Sequence, residues 1–238
     1  MPRTRAVPLA DDVWRIPTAP ADLVNSYAIR AADGSVTLVD AGLRRGGASR
    51  RILAALASIG AQPADVARIV LTHAHFDHAG GLERLVVATG ADVLSHERES
   101  VYLRDGRAPR TESPTGAAAR LIGWFPPRGL PKIVVAEEFQ HDSLLAGGLR
   151  VVHTPGHTPG HVSLLHEPSG VLITGDAVFN VRGLRFPPPF VCTDASVNRR
   201  SADLLGELDY EVAAFTHGPE IRDKAREAVR AFLRNRER

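Results

Sequence analysis

The chain has 238 residues, 44% of them hydrophobic, enough to bury a substantial core within one domain spanning 1–238. Lys and Arg number 29 against 27 acids, and a formal charge of +2 is too slight an excess to announce a nucleic-acid partner. Cys192 is the only cysteine, which excludes an intrachain disulfide; no apolar run reaches about 18 residues, so the expectation is a cytoplasmic chain with no membrane partner.

In chain order, 13–16, 25–30 and 35–39 predict three short strands, separated by Pro17 and Pro20 and by the Asp33-Gly34 turn. Ile52, Leu53, Leu56 and Ile59 recur at helical spacing within 48–59, and Gly60 supplies the stop. A brief strand at 68–71 leads into His73-Ala74-His75-Phe76-Asp77-His78, which falls in a loop because Gly80-Gly81 interrupts the pattern before it resumes at 82–88. Another strand follows at 91–94. Residues 97–132 mix helical runs with five prolines and read as a partly helical insertion. Strands at 133–135, 149–153, 162–166, 171–174 and 212–216, then a helix over about 219–233, complete the chain. Strands followed by helix occur twice, which predicts an α/β layered body with its polar clusters at one edge of the sheets. The basic run 222–238 reads as a solvated helix face.

His73, His75, Asp77 and His78 lie within six residues, and imidazole and carboxylate are the donors that borderline divalent metals such as zinc prefer. In extended backbone His73 and His75 project to one side, while a turn beginning near Asp77 would aim Asp77 and His78 at a second, adjacent position. Downstream, Thr154-Pro155-Gly156-His157-Thr158-Pro159-Gly160-His161 carries two histidines four apart, but its prolines and glycines forbid a helix. One of the two can ligate from the loop while the other begins the next strand as a supporting hydrogen-bonding group. In Thr174-Gly175-Asp176 a strand ends in a carboxylate whose two oxygens can bridge two cations. His217, in Thr216-His217-Gly218, again stands at a strand terminus and is a further ligand candidate.

These residues together resemble the metallo-β-lactamase-fold hydrolase superfamily, including its glyoxalase II and lactonase-like members. In that superfamily a His-x-His-x-Asp-His loop is followed by a later His, a bridging Asp and a terminal His. The resemblance runs from the early strands to His217 and implies a four-layer αββα sandwich. It implies His73, His75 and His157 on one metal, Asp77, His78 and His217 on the other, and Asp176 between them. His161 is then supporting, and Asp40 of Asp40-Ala41-Gly42 stands behind the ligands. The implied cofactors are two divalent metal ions, zinc first, with iron or manganese as alternatives. The implied reaction is attack of a metal-bound hydroxide on an ester, thioester or lactone carbonyl of a small-molecule substrate, with Asp77 as the catalytic proton carrier. The short stretch after His217, only Gly218 to Arg238, points away from a dedicated glutathione thioesterase.

Two rivals keep the fold: a mononuclear iron enzyme like the persulfide dioxygenases, on His73, His75 and His157, and a non-enzymatic metal-binding module. The segments around Trp124-Phe125-Pro126-Pro127 and at 179–190 are expected to shape the pocket. Phe186 to Phe190 would form either an apolar wall or a stiff covering loop, and Arg182 or Arg185 would meet a substrate carboxylate.

Overall fold

The computed structural model describes residues 5–44, 47–111 and 129–235. The first sheet consists of β1 (Val7–Ala10), β2 (Val13–Pro17), β3 (Asn25–Arg30), β4 (Val36–Val39), β5 (Val66–Val70), β6 (Asp92–His96) and β7 (Glu137–Phe139), side by side in chain order. β1 to β4 form an antiparallel meander, and β4 to β7 run parallel. Parallel neighbours need crossovers, which contain α1 (Ala48–Ser58), α2 (Phe76–Ala79), α3 (Leu82–Thr89) and α4 (Glu97–Asp105).

The second sheet has the order β14 (Val212–Ala214), β11 (Val171–Ile173), β10 (Val162–His166), β9 (Leu149–His153), β8 (Leu144–Leu145). It is antiparallel except where β14 joins β11 in parallel. A small hairpin of β12 (Phe179–Asn180) and β13 (Leu184–Arg185) stands apart, and α5 (Ala195–Ser201), α6 (Leu204–Glu207) and α7 (Ala225–Asn235) complete the described elements.

Alternation along the strands builds three apolar interfaces. Ala28, Val36, Leu38 and Ile69 meet Ile52, Leu56, Leu82, Leu85 and Leu103 of the first helices. The opposite faces, Tyr27, Ile29, Val39 and Val70, pack against Val151, Val162, Leu164, Ile173 and Ala214 of the second sheet. Leu165, Leu172 and Ala213 turn outward to Ala202, Leu205, Val229 and Leu233. Three interfaces separate four layers, helix, sheet, sheet and helix, as the resemblance implies.

Several expectations shift. The His73 to His78 loop contains a helical turn, α2. Ile133 and Val135 are buried while Val134 is 86% exposed, a strand-like alternation. They form no strand, because the Ile133 N–H donates to Leu103 O at the end of α4 and pairing with β6 starts only at Ala136. The last helix begins at Ala225 instead of about 219, because Ile221 is bridged to Ala213 and Lys224 has φ +50°. β1, β7, β8, β12, β13, α5 and α6 are additional to the predicted elements. Within the expected insertion, α4 is an integral part of the helix layer through Leu103, while residues 112–128, including Trp124 to Pro127, lie outside the described residues. Among the described residues no helix is long and apolar enough to cross a membrane.

Candidate metal centre

Four segments deliver the seven predicted side chains, each just beyond the C-terminal end of a strand: β5, β9, β11 and β14. Because β9, β11 and β14 point the same way, all four ends gather at one edge of the sandwich. His73 and His75 follow β5 and hold their ring centroids 4.7 Å apart. His75 is extended at φ −92°, ψ 161°, and the helical turn of α2 starts at Phe76, one residue before the expected position. That turn swings Asp77 and His78 to the neighbouring position.

The seven residues converge. One group is His73, His75 and His157; a second is Asp77, His78 and His217; Asp176 joins His73 and His78 in a third. Asp176 Oδ2 lies 3.2 Å from His157 Nε2, 3.3 Å from His217 Nε2 and 3.9 Å from His73 Nε2. Its Oδ1 lies 3.4 Å from His78 Nε2. One carboxylate therefore faces both groups. Asp77 Oδ2 sits 3.6 Å from His217 Nε2 and 3.7 Å from His78 Nε2.

Four of the histidines meet a partner on the side away from the centre. His73 Nδ1 pairs with Thr72 Oγ1 at 3.0 Å, and His78 Nδ1 donates to Asp40 Oδ2 at 2.8 Å. His217 Nδ1 donates to Leu23 O at 2.5 Å, and Cys192 Sγ lies 3.7 Å from His157 Nδ1. These four histidines present Nε2 to the centre. His75 is turned the other way, its Nδ1 2.9 Å from His157 Nε2. The Thr216 hydroxyl donates to Asp176 Oδ1 at 2.6 Å. Such outer partners set tautomer and orientation.

His161 supports instead of joining the cluster. Its Nδ1–H donates to Thr154 O at 2.9 Å, and its Nε2 accepts the Asp176 N–H at 2.7 Å. Burial and the neighbouring His157 push its pKa down to about 3, so it stays neutral and keeps both bonds. Gly175, at φ +54°, lets the chain pass beneath that ring: a Cβ there would stand 2.5 Å from His161 Nε2.

Burial, reinforced by the other imidazoles, holds His73 and His75 well below the ordinary histidine range. Burial also opposes charge on His78, but Asp176, Asp77 and Asp40 outweigh it and raise its pKa to about 10. His217 is raised in the same way by Asp176 and Asp77. Against its own burial, Asp176 is held well below the usual carboxylate range by His217, His78, His157 and His73. The centre is thus built to surround positive charge. The Nε2 atoms of His73, His75 and His78 are buried without a hydrogen-bond partner, a costly arrangement that cations held by the first and last of these atoms would relieve. Donors about 2.0–2.1 Å from one tetrahedral ion lie roughly 3.3 Å from each other, close to the spacings around Asp176. The donor set fits borderline divalent metals.

Sequence reasoning did not find Glu99, a fully buried acid on α4, nor Thr72, Thr216 and the Leu23 carbonyl. For Glu99 a signal existed: it lies four residues before buried Leu103, on the inward face of α4. Phe186 packs at a tilt against Phe232, ring centroids 4.8 Å apart, beside the outer helix core, and the ring against the centre is Phe179, 4.4 Å from His217. Arg182 and Arg185 are exposed, the Arg185 guanidinium bonded to Arg182 O.

The model of the Metallo-beta-lactamase superfamily matches residues 19–217. The uncharacterized protein YobT of Bacillus subtilis (strain 168) is 33% identical over 237 residues, covering 91% of this chain and 94% of its own. An N-acyl homoserine lactonase of a Bacillus species is 30% identical over 165 residues, covering 66% of this chain and 57% of its own. Among solved structures, a metallo-beta-lactamase family protein from Thermus thermophilus has a TM-score of 0.70 at 27% identity, covering 97% of this chain and 81% of that one.

Proposed function

The chain belongs to the metallo-β-lactamase superfamily, and from that premise we propose a dinuclear metal-dependent hydrolase that acts on the carbonyl of a small ester, thioester or lactone. The observation that carries this reading is the position of Asp176 Oδ2, within 3.3 Å of both His157 Nε2 and His217 Nε2, so that one oxygen serves two donor groups. His73, His75 and His157 would hold one ion, Asp77, His78 and His217 the other, with Asp176 shared. Zinc suits this set best, iron or manganese being the alternatives. When bound, such ions lower the pKa of a water towards about 7 and polarise the carbonyl under attack.

The rest of the work falls to the chain. Asp40 and the Leu23 carbonyl fix His78 and His217 through Nδ1 and keep each Nε2 turned inward. Thr216 occupies one lone pair of Asp176 Oδ1 and steadies that carboxylate. The Asp77 side chain, 18% exposed against 4% for Asp176, lies on the solvent side of the centre. It accepts the proton of the attacking water at Oδ2 and hands it to the leaving group. The likeness to a lactonase supports placing lactones first among the substrate classes.

Elemental analysis of the purified protein tests this directly, with about two zinc per chain expected. One iron per chain with oxygen consumption would replace the reading by a persulfide-dioxygenase-type reaction. His75→Ala and Asp176→Ala are each expected to lose bound metal together with activity on a panel of lactones, thioesters, β-lactams and phosphodiesters. Retention of metal and activity by both variants would sink the assignment.

A further inference from the structure

Away from the ligands themselves, Glu99 occupies an unusual place. It lies in the first turn of α4, with no solvent exposure. Its two carboxylate oxygens diverge to two loops distant in sequence. Oε2 accepts the Ala74 N–H at 2.8 Å, and Oε1 accepts the Gly160 N–H at 2.7 Å. Ala74 stands between His73 and His75; Gly160 stands between His157 and His161. The backbone is shaped for this contact: a Cβ on Gly160 would stand 2.9 Å from Glu99 Cγ and 3.0 Å from both Arg98 Cβ and Glu99 N. Only glycine lets that loop close on the helix.

We infer that Glu99 is a positioning residue for metal binding: its carboxylate clamps the His73–His75 loop to the His157–His161 loop, and so sets the spacing of the three histidines contributed from different sheets. The inference rests on the reading of those histidines as ligands. Both bonds need an acceptor, because both partners are N–H groups. An ionised carboxylate provides two acceptor oxygens, whereas the isosteric carboxamide provides one and turns an NH2 group towards the other N–H. Glu99→Gln therefore keeps the volume of the side chain and breaks the clamp. A buried acid needed only to fill space would tolerate that change.

The test compares wild type, Glu99→Gln and Ser100→Ala, the last a buried neighbour on α4 bonded to Glu97 O and Glu138 and to neither loop. Each protein is stripped of metal, its zinc affinity measured by competition with a chromogenic chelator, and its cobalt-substituted absorption spectrum recorded. Glu99→Gln is expected to bind zinc about tenfold to a hundredfold more weakly, with an altered cobalt spectrum, while Ser100→Ala keeps both wild-type values. Zinc affinity within twofold of wild type and an unchanged spectrum in Glu99→Gln would overturn the inference. Failure of the wild type to take up zinc or cobalt would instead remove the reading on which it rests. Amide exchange in the metal-free wild type gives a result independent of any variant. Clamped loops open as one unit, so Ala74 and Gly160 should show similar protection; values differing more than tenfold would again overturn the clamp.

Discussion

Asp40 stands at φ +60° with its carboxylate 1% exposed, in a conformation that costs a non-glycine residue of order 1–3 kcal/mol. The strain aims the side chain: Oδ1 accepts the Thr72 N–H, and Oδ2 accepts both the Thr72 hydroxyl and His78 Nδ1–H. Asp40→Ala removes all three bonds and keeps the strain, so it should destabilise the fold by about 3–5 kcal/mol and weaken zinc about tenfold to a hundredfold. Asp40→Asn tolerates the left-handed backbone and retains one acceptor, so its losses should be smaller. Chelator competition and thermal unfolding would check the ranking, which equal behaviour of the two variants would contradict. At this scale the candidate cluster was legible because metal binding needs scarce residue types in tight spacing. Glu99 was not, since a single acid gains its meaning from contacts 25 and 61 residues away.

At the scale of elements, strands bounded by strong Pro, Gly and Asp breaks were legible to the residue. β3, β9 and β10 coincide with their predicted spans. α5 and α6, of 7 and 4 residues, are too short to show helical periodicity. Asp194 nevertheless caps α5 through the Ser196 and Val197 N–H groups, a start signal present in the sequence. Turns, too, differ in what they demand. Gly60 and Gly175 both have positive φ, but a Cβ at Gly60 meets nothing within 4 Å, whereas at Gly175 it meets His161 Nε2 at 2.5 Å. Gly60→Ala should thus cost only the conformational penalty, about 1–2 kcal/mol, and leave metal content unchanged. Gly175→Ala should cost more and reduce zinc occupancy, because displacing His161 frees the Asp176 backbone. Urea unfolding with metal analysis separates the two; equal costs with full occupancy in both would show that the contact beneath His161 is slack.

For the molecule as a whole, the residues alone gave two α/β halves, and the order of the layers came from the resemblance. Sheet pairing such as β14 beside β11 depends on hydrogen bonds between distant segments, which no local pattern encodes. The centre ties those distant strands together, and its protons make stability depend on pH. Folded His78 keeps its proton up to about pH 10, while in the unfolded chain it is released near the ordinary 6.5. The stabilisation from that proton is complete below about 6.5 and lost as pH rises towards 10. His73, His75 and His161 act with the opposite sign: depressed by burial, they stay neutral in the fold while the unfolded chain takes up protons, so stability is lost as pH falls below 6.5. Metal-free protein should therefore unfold at its highest temperature near pH 6.5 and at lower temperatures on either side. A bound cation displaces the His78 proton, so zinc should bind more tightly as pH rises and should abolish the alkaline decline. At free zinc a hundredfold above Kd the gain is about 2.7 kcal/mol, or roughly 5–10 °C for a chain of this size. Calorimetry from pH 5 to 9, with and without zinc, measures both effects. A metal-free melting temperature still rising from pH 7 to 9, or a zinc-induced gain that shrinks over that interval, would show that His78 does not hold the proton the cation must replace.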